Sequence, residues 1–129
     1  MLVNPSDLVA KAKATITECS VSEARECLNP DTVWIDIREP AEFQRGCIPG
    51  ATNIPRGLLE FDMHAVVDRA RVDQNIPHEE QAIILYCGTG GRSALAAKSA
   101  EELGYKNVKS MAGGVVAWAQ AQLPLDTSG

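Results

Sequence analysis

The chain has 129 residues, 45% of them apolar, and a formal charge of −5. That is enough for one compact domain with a core of its own and too little for two ordinary ones. A negative chain without a basic run gains nothing from a phosphate backbone or an anionic lipid surface, so no nucleic acid and no membrane is expected among its partners.

The four cysteines, Cys19, Cys27, Cys47 and Cys87, include no pair with the close spacing of a zinc knuckle or redox dithiol. The first residues, MLVNPSDLVAKAKATI, have neither a continuous apolar stretch nor a small-residue cleavage site, and the apolar runs elsewhere are too short to span a bilayer. The simplest expectation is a cytoplasmic protein with reduced thiols.

In chain order, Pro5 to about Thr15 predicts a short amphipathic helix, with Leu8, Val9 and Ala12 on one side and Lys11 and Lys13 on the other. Thr15 to Cys19 suits a first short strand. Ser20-Val21-Ser22-Glu23 is a capping-box pattern and predicts a helix to Leu28. Asn29-Pro30-Asp31 is a turn, Val33 to Ile37 a mostly buried strand, and Pro40 to Gln44 a short helix ended at Gly46. Thr52-Asn53-Ile54 follows the Ile48–Ala51 turn as a very short strand, and Gly57 to about Ala70 is weakly helical. Asp73 to Gln81 is polar and loop-like. Ala82 to Tyr86 is the central strand. Arg92 to Leu103 predicts an alanine-rich helix closed by Gly104, with Leu95, Ser99 and Leu103 on one face. Asn107 to Met111 is another strand, Gly114 to Gln122 a final helix, and Pro124 to Gly129 a tail. Short apolar strands alternating with helices predict an α/β domain, a small and largely parallel sheet of about five strands covered on both faces.

The chemistry is concentrated in Cys87-Gly88-Thr89-Gly90-Gly91-Arg92-Ser93, directly after the central strand. Glycines let the backbone turn with its N–H groups inward, forming a concave nest for an anion. The helix that starts near Arg92 adds its positive end, and Arg92 adds a permanent charge. All three favour thiolate over thiol at Cys87. A buried, inert cysteine on a plain turn is the alternative, but a plain turn does not need three glycines and an arginine at a helix start.

Cys87, Gly90, Arg92 and Ser93 stand at the spacing of the active-site loop of the rhodanese (thiosulfate sulfurtransferase) family, which this stretch resembles. Asp36-Ile37-Arg38-Glu39, Glu42-Phe43, Gly46 to Ala51 and Asn53-Ile54-Pro55 resemble the family's upstream motif, and Gly113-Gly114-Val115 with Trp118 its C-terminal motif. The resemblance runs in order from about Ile16 to Leu123, which leaves 1–15 as an N-terminal helix and 124–129 as a tail of a rhodanese-like fold. It implies Cys87 as nucleophile and persulfide carrier, with Gly88, Thr89, Gly90, Gly91, Arg92 and Ser93 binding the substrate. The implied donor is thiosulfate and the implied acceptor cyanide or a thiol, including a protein thiol, with no metal and no organic cofactor. Four residues separate Cys87 from Arg92, one fewer than in the phosphatases and arsenate reductases that resemble this fold. The shorter loop suits one sulfur atom better than a tetrahedral oxyanion. A sulfur-relay or regulatory binding module is the other alternative.

Other residues are weighed against structural roles. Asp36, Arg38 and Glu42 are expected to form an ion pair or satisfy backbone donors, with support of the catalytic loop from behind as the functional alternative. Arg56 and Phe61 are candidates for the pocket's edge, against a solvent-facing arginine and a core phenylalanine. Cys47 stands where the family usually has histidine. It is read as a small buried filler, and as a resolving thiol only if its Cα lies roughly 4.4–6.8 Å from that of Cys87. His64 and His78 are expected to be isolated at the surface, Trp34 and Trp118 in the core, and Cys19 and Cys27 to be structural.

Overall fold

The computed structural model describes residues 1–127. Five strands form one wholly parallel sheet in the order β1-β5-β4-β2-β3: β1 (Glu18–Cys19), β2 (Val33–Asp36), β3 (Thr52–Asn53), β4 (Ile83–Tyr86) and β5 (Val108–Met111). The helices are α1 (Pro5–Lys13), α2 (Val21–Arg25), α3 (Pro40–Arg45), α4 (Leu59–Ala70), α5 (Gly91–Glu102) and α6 (Gly114–Gln120).

The strand side chains alternate between two cores, because successive residues of a strand point to opposite faces. Val33, Ile35, Ile83, Leu85 and Cys87 face α4 and α5. Trp34, Ile84, Tyr86 and Met111 face the other side, with Ala24 of α2 and Trp118 of α6. Near-continuous burial along β2 and β4 follows from having helices on both faces. Trp34 and Trp118 are both buried and meet edge-on, ring centroids 5.7 Å apart.

The elements begin where local chemistry stops the backbone donors from being orphaned. Asn4 Oδ1 accepts from Ser6 N ahead of Pro5. At α2, Glu23 N donates to Ser20 Oγ and Ser20 N donates to Glu23 Oε1, a complete capping box.

Several expectations need correction. The buried face of α5 consists of Ala94, Ala96, Ala97 and Ala100 with Ser93, while Leu95 and Ser99 are only half-buried. Small residues let this helix lie close against the sheet, and Leu103 packs at its end. The polar 73–81 stretch contains a short 3-10 turn, His78–Glu80. His64 and His78 are not isolated: Tyr105 Oη lies 2.7 Å from His64 Nδ1 and 3.2 Å from His78 Nε2. The expected tail at 124–129 is engaged as far as it is described. Trp118 Nε1 donates to Pro124 O at 2.7 Å, and Cys47 and Asp126 exchange backbone hydrogen bonds in an antiparallel bridge. Residues 128 and 129 of that tail lie outside the described residues.

Candidate active site

Cys87 follows β4 directly, at the carboxyl end of the central strand and on the α5 side of the sheet. Gly90 is the N-cap of α5, in a left-handed conformation (φ 105°) that strains any residue with a Cβ. That turn brings Gly90 N to 3.1 Å and Ser93 N to 3.3 Å from Cys87 Sγ, both donating to it. Ser93 Oγ lies 3.5 Å from the same sulfur. Gly90 has no side chain to cap α5, so the first amides of the helix are turned on the sulfur instead. The residue is only 1% exposed.

The loop is held from the other side by α6. Val115 N donates to Cys87 O at 2.9 Å and Val116 N to Gly88 O at 3.1 Å. Gly114, at φ 59°, lies so close to the Cys87 and Gly88 carbonyls that a Cβ there would overlap them. This is the physical content of the Gly113-Gly114-Val115 pattern: it lets a helix start abut the cysteine loop.

Arg92, expected to add a permanent charge, is paired in the structure. Its guanidinium forks onto Glu42 of α3, with Nη1 to Oε1 at 2.8 Å and Nη2 to Oε2 at 3.1 Å. The hydrogen bond from Arg92 pulls the Glu42 carboxyl down to about 2, so the pair persists across the physiological range. An added Cβ on Gly88 would lie 3.2 Å from Arg92 Nη2, which places the guanidinium over the loop. The side-chain charges there cancel, and the backbone dipoles of the loop and α5 remain as the positive element.

Asp36 and Arg38 form a knot at the end of β2. Asp36, fully buried, accepts from Arg38 N and Nε and, at 2.7 Å, from Arg38 Nη2. Arg38 Nη2 also donates to Gly46 O, and its guanidinium carbon lies 5.8 Å from the centre of the Tyr86 ring. Tyr86, the residue before Cys87, accepts at its hydroxyl from Ile48 N. The knot therefore meets the strand that delivers Cys87, while Glu42 alone of these three acidic and basic residues touches the loop's side chains.

Arg56 donates to Glu60 and, at 2.9 Å, to Ser99 Oγ on α5. Phe61, expected in the core or walling the pocket, is instead 83% exposed on α4. The helix turns Leu59, Met63, Val66 and Val67 inward, and Phe61 falls on the opposite side. Cys47 Sγ points to Asp126 O at 3.5 Å, and burial pushes its thiol up, which suits the filler reading. All four cysteines are free.

One residue was missed. Ser110, in β5 and fully buried, has its Oγ 2.8 Å from Ser93 Oγ. The available signal was a serine between Lys109 and Met111 in a short, mostly buried strand. Among the described residues no group of three or more His, Cys, Asp and Glu side chains is arranged to hold a metal ion. Among the described residues no helix is long and apolar enough to cross a membrane.

Residues 20–121 match the model of the rhodanese-like domain. A sulfurtransferase from Allochromatium vinosum is 34% identical over 95 residues, 74% of this chain and 78% of the relative. Thiosulfate sulfurtransferase 16, chloroplastic, from Arabidopsis thaliana is 31% identical over 121 residues, 90% of this chain and 98% of the relative. Among solved structures, a Rhodopseudomonas palustris protein of unknown function, a possible tyrosine phosphatase, superposes with a TM-score of 0.78 at 31% identity, covering 98% of this chain and 96% of the other.

Proposed function

The chain belongs to the rhodanese-like family, and from that premise we propose that it transfers sulfane sulfur through a persulfide on Cys87. The Cys87 thiolate attacks the outer sulfur of thiosulfate. A new S–S bond forms as the old one breaks, and sulfite leaves with the bonding pair. Cys87 then carries a terminal sulfur with a negative charge. Cyanide, or the thiolate of a small molecule or protein, attacks that terminal sulfur. It departs as thiocyanate or as a new persulfide and returns Cys87 to thiolate. No electrons enter or leave beyond the donor and acceptor themselves.

The observation that carries this reading is the pair of amide donors, Gly90 N and Ser93 N, aimed at Cys87 Sγ from the start of α5. Fixed donors that need no reorganisation favour negative sulfur both before and after the transfer. Arg92, clamped by Glu42 over the loop, borders the path of an anionic donor without adding a net side-chain charge. Four free thiols fit a reducing compartment such as the cytoplasm.

Oxyanion chemistry is the rival, and the likeness to a possible tyrosine phosphatase makes it worth a direct test. The loop with four residues between Cys87 and Arg92 favours sulfur transfer. Intact mass after treatment with thiosulfate decides. A gain of one sulfur atom, reversed by cyanide or dithiothreitol and absent in Cys87→Ser, is expected. Phosphate release from an aryl phosphate with no gain of sulfur would overturn the assignment. Neither reaction, together with a stable protein complex, would make the chain a binding module.

A further inference from the structure

We propose that Ser110 is a positioning residue that directs the Ser93 hydroxyl proton onto the Cys87 sulfur. The inference rests on the sulfurtransferase reading for its purpose, but its geometry stands apart from that reading.

A serine hydroxyl has one proton to donate and two lone pairs to accept with. Ser93 Oγ has two neighbours: Cys87 Sγ at 3.5 Å and Ser110 Oγ at 2.8 Å. The Ser110 hydroxyl, on a fully buried residue, has one side-chain partner among the described residues, Ser93. If Ser93 donated to Ser110, the Ser110 proton would point into the core with no acceptor, a cost comparable to a lost hydrogen bond. With the sulfur as a thiolate or persulfide, the arrangement that satisfies every group runs the other way. Ser110 donates to Ser93, and Ser93 keeps its own proton for the sulfur. That orientation matches a thiolate or persulfide, which accepts, and opposes a thiol, which must donate.

The placement of Ser110 makes the device rigid. Its backbone is locked in β5, paired with Glu18 on one side and Leu85 on the other, and its N–H donates to Thr17 O. Ser93 sits in the first turn of α5 and also donates its N–H to Cys87 Sγ. Sheet and helix thus converge on one hydroxyl proton. In such a chain Ser93 accepts from Ser110 while it donates to the sulfur, and each of the two bonds strengthens the other.

The test is the pH profile of Cys87 alkylation by iodoacetamide, resolved by peptide mass, in four chains: wild type, Ser110→Ala, Ser93→Ala and the double variant. In Ser110→Ala the profile moves to higher pH and the rate near neutrality falls about three- to tenfold, the range of one hydrogen bond. In the Ser93→Ala background the same substitution changes nothing beyond about twofold, because Ser110 acts only through Ser93. Ser110→Thr, which retains the hydroxyl, keeps the wild-type profile. If Ser110→Ala fails to fold, Ser110→Cys fills the same space with a weaker donor and is expected to show a smaller shift in the same direction. An unmoved profile in a folded Ser110→Ala or Ser110→Cys chain overturns the proposal. So does an equal shift with and without Ser93, which would mark a purely structural role. Sulfur gain from thiosulfate, measured on the wild type, separates the two claims: its absence removes the sulfurtransferase reading while the alkylation series still judges Ser110.

Discussion

Cys19 and Cys87 occupy matching places and have opposite surroundings. Cys19 ends β1 and Cys87 directly follows β4 of the same parallel sheet, each is buried, and each is followed within a few residues by a helix. At Cys19 the following helix is capped by Ser20 and Glu23, whose side chains and amides satisfy one another. Burial then dominates and pushes the Cys19 thiol up to about 11. At Cys87 the helix cap is a glycine with nothing to offer, and the amides of Gly90 and Ser93 turn to the sulfur. A strand end and a helix start do not make a nucleophile. What matters is whether the first donors of the helix are already occupied by a side chain of their own.

The sharpest way to break that comparison is to measure both thiols in one sample. At neutral pH, peptide-resolved alkylation is expected to label Cys87 at least about tenfold faster than Cys19, since the thiolate is the reacting species. Equal rates would leave the amide donors without consequence. Next in size is Gly90→Ala. It places a Cβ 3.2 Å from Gly113 N at a left-handed position, so the loop must shift. We expect about 1–3 kcal/mol of lost stability and a loss of most thiocyanate formation, read by thermal unfolding and a cyanide assay. Full activity at unchanged stability would show that the turn tolerates a side chain. The smallest effect belongs to Ser20→Ala, which removes the α2 cap and costs about 1 kcal/mol. Its alkylation rate at Cys87 stays at the wild-type value, whereas a slowed Cys87 would mean that the two strand ends are coupled.

The architecture was readable because short apolar runs and turn residues act locally. Val33–Ile37 and Ala82–Tyr86 announce buried strands, and the glycine run after Tyr86 announces the turn that carries the cysteine. The residues that complete the site come from other elements and obey no local pattern. Glu42 reaches Arg92 across 50 positions, and Ser110 reaches Ser93 across 17. Periodicity cannot announce such pairs. The same holds for the joining of His64 and His78 through Tyr105. On α5 the close approach of helix to sheet selects alanine for the inner face.

The bridge between Cys47 and Asp126 bears on where this domain stops as a physical object. The family match closes at residue 121, short of Pro124 and Asp126, yet those two supply partners to the Trp118 indole and to both backbone groups of Cys47. A version cut after residue 121 would strip the Trp118 indole and both backbone groups of Cys47 of these partners at once, at roughly 1–3 kcal/mol for each that stays shut away from solvent. For anyone cutting or fusing this polypeptide, the clasp rather than the homology boundary marks the shortest safe end.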